Sequence, residues 1–144
     1  MQVSPYLMFN GNCAEALKHY EQALGATTMF SQTYKNSPAA EHAPADFGDK
    51  IMHASFKVGD TVIMASDAPP GSYKEPAGIS VALGLNDTAK GEQIFNALSD
   101  GGQVMMPYQA TFWAAGFGMC VDRFGIPWMI NVEEAGAHGG GSES

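Results

Sequence analysis

The order of secondary-structure signals occurs twice along this chain, and this repetition restricts the possible folds more than any other feature. Each half predicts a strand, a helix and three further strands, although the two halves are not alike in sequence. A single unit of about 60 residues buries too little surface to be very stable alone, so we expect two units to pack together. The sequence therefore predicts one α+β domain, in which two paired βαβββ modules form a curved, cup-shaped mixed sheet.

The first module is expected to span about residues 1–67. Asn12 precedes a helical pattern and Glu15 follows three residues later, which predicts a capping box at the start of the helix. Gly25 is expected to end that helix in a left-handed conformation. A segment with two prolines and many small residues, 37–49, predicts a loop. The strands are predicted at residues 3–9, 27–34, 51–58 and 61–66.

The second module is expected to span about residues 77–134, after a turn-rich link at 68–76. Asp87 is expected to cap a helix that turns Ile94, Phe95 and Leu98 inward, and two glycines at 101–102 would stop it. The strands are predicted at residues 79–85, 104–111, 116–121 and 126–132. The low-complexity segment 135–144 predicts a disordered tail.

Charge and length exclude several classes of partner. The 144 residues contain seven Lys and Arg against fifteen Asp and Glu, a net charge of −8. This balance argues against nucleic acid and anionic membranes, because both require clustered basic residues. No apolar run approaches the ~20 residues of a membrane span, and the N-terminus lacks signal-peptide features, so we expect a cytoplasmic protein. Cys13 and Cys120 are expected to be reduced and to act as small hydrophobic residues.

Five segments together carry a resemblance to a known family. The similarity runs over about residues 2–132, and the five segments are 5–12 (PYLMFNGN), 19–25 (HYEQALG), 62–67 (VIMASD), 111–118 (TFWAAGFG) and 122–131 (DRFGIPWMIN). In this combination the chain resembles the PhnB-like branch of the vicinal-oxygen-chelate superfamily, which includes glyoxalase, bleomycin resistance and extradiol dioxygenase proteins. The resemblance implies the glyoxalase/bleomycin resistance-like fold, with a small-molecule ligand inside the cup and a homodimeric assembly.

Metal-using members of this superfamily bind a divalent ion through His, Glu or Gln on the first and last strands of each module. Carried over to this sequence, those positions fall at Pro5, within 64–66, at Ile79 or Ser80, and at Met129. None of these side chains is a strong ligand for a hard or borderline cation. We therefore predict no cofactor and no metal ligands at the usual positions.

His53 is the one histidine on a predicted strand, and alternation places it on the same face as Ser55. If that face lines the cup, His53 could act as a general base or as a hydrogen-bond donor to a substrate. The alternative is a half-buried histidine bonded to a neighbour. Asp67 could orient His53 or simply begin a turn, and Asp122 is expected to bond the backbone of a tight hairpin.

A set of methionine, aromatic and polar residues predicts a mostly apolar ligand pocket. The alternative is that these residues belong to an ordinary core or a dimer interface. The predicted pocket residues are Met64, Gln109, Thr111, Trp113, Trp128 and Met129.

Three functional hypotheses follow. The first is a metal-independent protein that binds or sequesters a small molecule. The second is a metal-dependent lyase, isomerase or dioxygenase with a shifted divalent-metal site at His53, for which Asp67 and Glu75 would be the further ligands. The third is a regulatory or structural dimer without a ligand. We do not expect a methyltransferase, because the sequence lacks the Gly-rich turn of a nucleotide-binding doubly wound sheet.

Overall fold

The computed structural model describes residues 1–134, and the predicted tail lies outside this range. The chain divides into two compact units, the first comprising Met1–Glu75 and the second beginning at Pro76. Each unit has the order βαβββ and a four-stranded mixed sheet, which confirms the predicted α+β class and the repeated element order. No helix within residues 1–134 has the length and apolar character needed to span a membrane.

The first unit has a sheet with strand order β1-β4-β3-β2, in which β1 and β4 are parallel and the other pairs are antiparallel. The segment predicted as a loop contains two short 3₁₀ helices, at Pro38–His42 and Ala45–Phe47. The β3–β4 hairpin turns at Gly59, whose φ of +57° favours glycine. The elements are β1 (Tyr6–Phe9), α1 (Cys13–Leu24), β2 (Thr27–Thr33), β3 (Ile51–Val58) and β4 (Thr61–Asp67).

Helix α1 packs on one face of this sheet, where the Tyr20 ring stacks on Phe56 with centroids 5.6 Å apart. The helix ends as predicted, because Gly25 is left-handed and its N–H bonds the carbonyl of Glu21. The predicted capping box is wrong, since Asn12 makes no side-chain cap bond. The Asp67 carboxylate at the end of β4 accepts the N–H of Cys13 instead.

The second unit repeats this architecture with strand order β5-β8-β7-β6, and β5 and β8 are the parallel pair. The predicted cap at Asp87 is confirmed, because its carboxylate accepts the N–H of Lys90 at 3.1 Å. The elements are β5 (Val81–Leu85), α2 (Thr88–Ser99), β6 (Gln103–Gln109), β7 (Gly116–Val121) and β8 (Pro127–Val132).

The core of the second unit lies between α2 and one face of its sheet. Phe95 and Leu98 are buried as predicted, whereas Ile94 is only half-buried. Helix and sheet approach closely at Gly118, where an added Cβ would lie 2.7 Å from Cε1 of Phe95. Alternate residues of β8 complete this core, and they are Trp128, Ile130 and Val132.

Candidate functional site

Helix α1 covers one face of the first sheet, and no other α-helix lies within the described residues of the first unit to cover the opposite face. Ala54, Phe56, Ile63 and Ala65 point to the covered side and are buried. The intervening residues of the same strands therefore lie on the opposite side, which we call the helix-free face. This face carries Tyr6, Met8, Phe30, Gln32, His53, Ser55, Met64 and Ser66.

His53 lies on the helix-free face, and it shares this face with Ser55, as alternation predicts. Its Nδ1 is 3.0 Å from the hydroxyl oxygen of Tyr6, within hydrogen-bond distance. The imidazole also lies near two aromatic rings, with centroid distances of 5.7 Å to Tyr6 and 6.1 Å to Phe30. These two rings are 43% and 49% exposed, respectively. The histidine therefore has one polar partner and a rim of accessible aromatic surface.

A row of side chains crosses the helix-free face from edge to edge. Phe30 is opposite Ser55, Ser55 is opposite Met64, and Met64 is opposite Tyr6. Close to this row, the hydroxyl of Ser66 donates to the Met8 sulfur at 3.6 Å. A largely apolar surface with a few polar groups is typical of small-molecule sites, because apolar contact supplies affinity and polar groups fix orientation.

Sequence reasoning missed Tyr6 and Phe30. Alternation within the first strand does separate Tyr6 from the buried Leu7 and Phe9. The pairing of β1 with β4, however, joins segments more than fifty residues apart. The neighbours of His53 therefore could not be identified from local pattern.

Asp67 does not orient His53. Its side chain points to the covered face and is 1% exposed. Oδ1 accepts the N–H of Cys13 at 2.9 Å, and Oδ2 accepts the N–H of Ile51 at 2.8 Å. Both carboxylate oxygens therefore connect the start of α1 to the start of β3.

Two of the predicted pocket residues, Thr111 and Trp113, come together in the β6–β7 connection. The Thr111 hydroxyl accepts the N–H groups of Trp113 at 3.3 Å and of Ala114 at 3.1 Å, which shapes the turn. The Trp113 ring contacts Phe112 and Phe117 edge to face, at centroid distances of 4.8 and 5.3 Å. Gln109 ends β6 and is exposed.

Trp128 and Met129 are consecutive residues of β8 and therefore point to opposite faces of the second sheet. Trp128 is fully buried on the α2 side, where its Nε1 donates to Oδ2 of Asp122 at 2.8 Å. Met129 is half-buried and is paired with Met119. The structure thus places Trp128 in the core and apart from Met129, while Met64 belongs to the first unit.

Asp122 bonds the backbone of its hairpin, as predicted. Its Oδ1 accepts the N–H groups of Phe124 at 2.9 Å and of Ile126 at 3.0 Å. The bond to Trp128 was not expected, because it depends on the packing of that side chain.

The residues at the family's metal positions do not fit a divalent ion. Pro5 precedes β1, while Met64 and Met129 are thioethers within β4 and β8. A thioether is a poor ligand for the cations that carboxylates and imidazoles hold. Within residues 1–134, no three His, Cys, Asp or Glu side chains form a group that could hold a metal ion.

A small apolar cavity of about 170 Å³ lies in the first unit, beside the 3₁₀ helices. The hydroxyl of Tyr34 at its wall donates to the carbonyl of Asp67 at 2.9 Å. Burial, assisted by the negative charge of Asp67, raises the pKa of Tyr34, so this hydroxyl stays a donor. The lining residues are Tyr34, Ala39, His42, Ala43, Pro44, Phe47, Pro69 and Pro70.

Both cysteines are free and buried, as predicted. Burial, followed by the charge of Asp67, raises the pKa of Cys13 to about 12. Burial and the charge of Asp122 raise the pKa of Cys120 to about 11. Since the thiolate is the reactive form, neither thiol is a nucleophile near neutral pH.

We expect the native thiols to react with iodoacetamide at least about a hundredfold more slowly than the same thiols in urea, near neutral pH. A raised pKa lowers the thiolate fraction, and burial restricts access of the reagent. Intact-mass spectrometry over time measures both rates. Rapid alkylation of the folded protein at Cys13 or Cys120 would contradict this assignment.

The βαβββ order of both units and the similarities given below show that this is a PhnB-like protein. This confirms the resemblance predicted from the sequence. Residues 1–131 match the family described as 3-demethylubiquinone-9 3-methyltransferase, and the chain belongs to that family.

Three known proteins illustrate the relationship. Protein YjdN of Escherichia coli (strain K12) is 38% identical over 140 residues, which cover 92% of this chain and 95% of that protein. The crystal structure of protein PA1353 from Pseudomonas aeruginosa is 48% identical, with a TM-score of 0.84 over 92% of this chain and 98% of that one. A PhnB protein from Bacillus cereus, a putative 3-demethylubiquinone-9 3-methyltransferase, is 19% identical with a TM-score of 0.77, covering 92% and 99% of the two chains. This last similarity concerns the fold alone.

Proposed function

We propose that the protein binds a small, largely apolar molecule on the helix-free face of its first sheet, and that it does so without a metal ion. The observation that carries this proposal is the position of His53, bonded to Tyr6 and flanked by the accessible rings of Tyr6 and Phe30. Exposed apolar surface around a few polar groups commonly marks a binding site. The function is that of the bleomycin-resistance type, in which a ligand is bound or sequestered.

The charge of the chain favours some ligands over others. A net charge of −8 repels anions and favours neutral or cationic molecules. The methionines Met8 and Met64 supply adaptable contact area beside the rings. We therefore expect a neutral ligand with an aromatic or otherwise flat apolar part.

The alternative of a metal-dependent reaction at His53 has less support. It would need at least two further ligands, and Asp67 already uses both oxygens to accept backbone N–H groups. Glu75, the other candidate, lies at the end of the first unit in the linking segment. The residues at the family's metal positions also argue against a metal-dependent reaction, because Pro5 and Met129 are not strong ligands for a divalent cation.

Methyl transfer, which the family description mentions, is not part of this proposal. Both units have the βαβββ order with a mixed sheet, rather than a doubly wound parallel sheet. The Gly-rich turn typical of such nucleotide-binding sheets is also missing from the sequence.

The proposal does include a cytoplasmic homodimer. Its basis is the family resemblance, together with the exposed apolar side chains of Val104, Met105 and Met106 on β6.

The test uses acetophenone as a neutral aromatic probe and protein labelled with ¹³C at its methionine methyl groups. We expect acetophenone to shift the Met8 and Met64 signals, because both side chains lie on the helix-free face. The Phe30→Ala variant should weaken binding by about two- to tenfold, because one aromatic contact is lost.

Two controls accompany this titration. Lys18→Ala, on the exposed side of α1, should leave the affinity unchanged. Treatment with EDTA should also leave it unchanged if no metal ion takes part. Absence of any Met64 shift at millimolar probe would overturn the proposal, and loss of binding in EDTA would overturn its metal-independent part.

A further inference from the structure

The hydrogen bond between Tyr6 and His53 involves one specific nitrogen of the imidazole. This determines whether the other nitrogen is a hydrogen-bond donor or an acceptor. The bond is made by Nδ1. In the described part of the chain, no hydrogen bond reaches Nε2. The imidazole is only half-buried, so Nε2 remains accessible on the helix-free face.

The direction of the bond follows from acid–base strength. A phenol hydroxyl is a stronger acid than the N–H of neutral imidazole, and an imidazole nitrogen is a stronger base than a phenol oxygen. Tyr6 therefore donates and Nδ1 of His53 accepts. Because a neutral imidazole carries one proton, that proton must lie on Nε2.

We infer that Tyr6 is a positioning residue that holds His53 with Nε2–H as a donor, and that the site takes ligands with a carbonyl-type oxygen beside an apolar group. This inference rests on the function proposed above. The imidazole that carries the Nε2–H group lies beside the rings of Tyr6 and Phe30, at centroid distances of 5.7 and 6.1 Å, so exposed aromatic surface adjoins this donor. The net charge of −8 favours a neutral carbonyl over a carboxylate.

The tautomer can be measured without any ligand, by ¹⁵N spectroscopy of the imidazole in the neutral state. We expect Nε2 to give a pyrrole-type signal and Nδ1 a pyridine-type signal displaced by its hydrogen bond. In Tyr6→Phe the ring remains but the donor is lost, so the Nδ1 signal should move to the position of a free pyridine-type nitrogen. A protonated Nδ1 in the wild type, or an unchanged Nδ1 signal in Tyr6→Phe, would overturn the inference.

Ligand selectivity tests the second part of the inference, with acetophenone compared with ethylbenzene, which has the same carbon skeleton without the carbonyl oxygen. We expect acetophenone to bind the wild type about tenfold more tightly, as one hydrogen bond provides. His53→Gln keeps a donor near the Nε2 position and should retain most of this preference. His53→Asn places its amide near Nδ1 and should lose it.

The outcomes separate this inference from the proposed function. Equal affinity of the wild type for both probes, with Met64 shifted by each, would overturn the donor assignment and leave the binding site in place. Failure of both probes to shift Met64 would overturn the binding site itself. Far-UV circular dichroism reports that the variants are folded.

Discussion

Replacement of Asp122 by alanine is expected to lower the free energy of unfolding by about 3–5 kcal/mol. The carboxylate is 3% exposed and accepts two backbone N–H groups, from Phe124 and Ile126, together with the indole N–H of Trp128. Its removal leaves three donors without this acceptor in a buried part of the second unit. Urea unfolding followed by tryptophan fluorescence measures the loss, because Trp128 is a fully buried reporter.

Two variants provide controls for this experiment. Asp122→Asn keeps one oxygen but loses the charge, and it should therefore lie between the wild type and the alanine variant. Asp100→Ala removes an exposed ion pair with Arg123 and should cost no more than about 1 kcal/mol. An equal effect of Asp122→Ala and Asp100→Ala would show that the buried carboxylate has no special structural role.

Replacement of Asp67 by alanine is expected to cost about 3 kcal/mol in the free energy of unfolding. This carboxylate accepts the N–H groups of Cys13 and Ile51, so it caps α1 and fixes the start of β3 at the same time. Its negative charge also interacts favourably with the N-terminal end of the helix dipole. Thermal and urea unfolding, compared with the wild type, measure the change.

The matched control is Asp60→Ala, because Asp60 is an exposed aspartate in the β3–β4 turn of the same unit. It should change stability by less than about 0.5 kcal/mol. Folded Asp67→Ala protein should still shift the Met64 signal with acetophenone. If Asp67→Ala instead preserved stability and abolished binding, Asp67 would belong to the ligand site and our structural assignment would be wrong.

Much of the secondary structure could be predicted because it depends on neighbouring residues. The β3 strand follows from a run of alternating and β-branched residues, and its predicted bounds agree with the structure. Gly25 ends α1 because only glycine adopts the left-handed conformation at little cost. Asp87 caps α2 because its acceptor reaches an N–H three residues away.

The same local reasoning was wrong at the start of α1. Asn12 and Glu15 match a capping box, yet the carboxylate that meets the helix is Asp67, which follows 54 residues after Cys13. A charged acceptor supplied by a neighbouring strand makes a stronger bond to a helix N-terminus than a neutral side chain does. Local pattern contains no information about such a distant partner.

The candidate site likewise combines features that follow from local sequence with features that depend on distant contacts. Alternation along β3 was sufficient to place His53 on the other face from Ala54 and Phe56, but only the structure showed that α1 covers the face of Ala54 and Phe56. The bond from Tyr6, 47 residues away in sequence, required the parallel pairing of β1 with β4. Trp128, selected as an aromatic pocket residue, was instead placed in the core by its contact with Asp122.

The sequence by itself determined the repeated βαβββ order, the helix ends that depend on glycine or a nearby acceptor, and the family. These features depend on backbone preferences and side-chain periodicity, which act over a few residues. Only the tertiary structure decided which carboxylates are structural and which atoms surround His53. Such contacts form when strands distant in sequence are paired, and a shift of one residue in that pairing would turn every side chain to the other face.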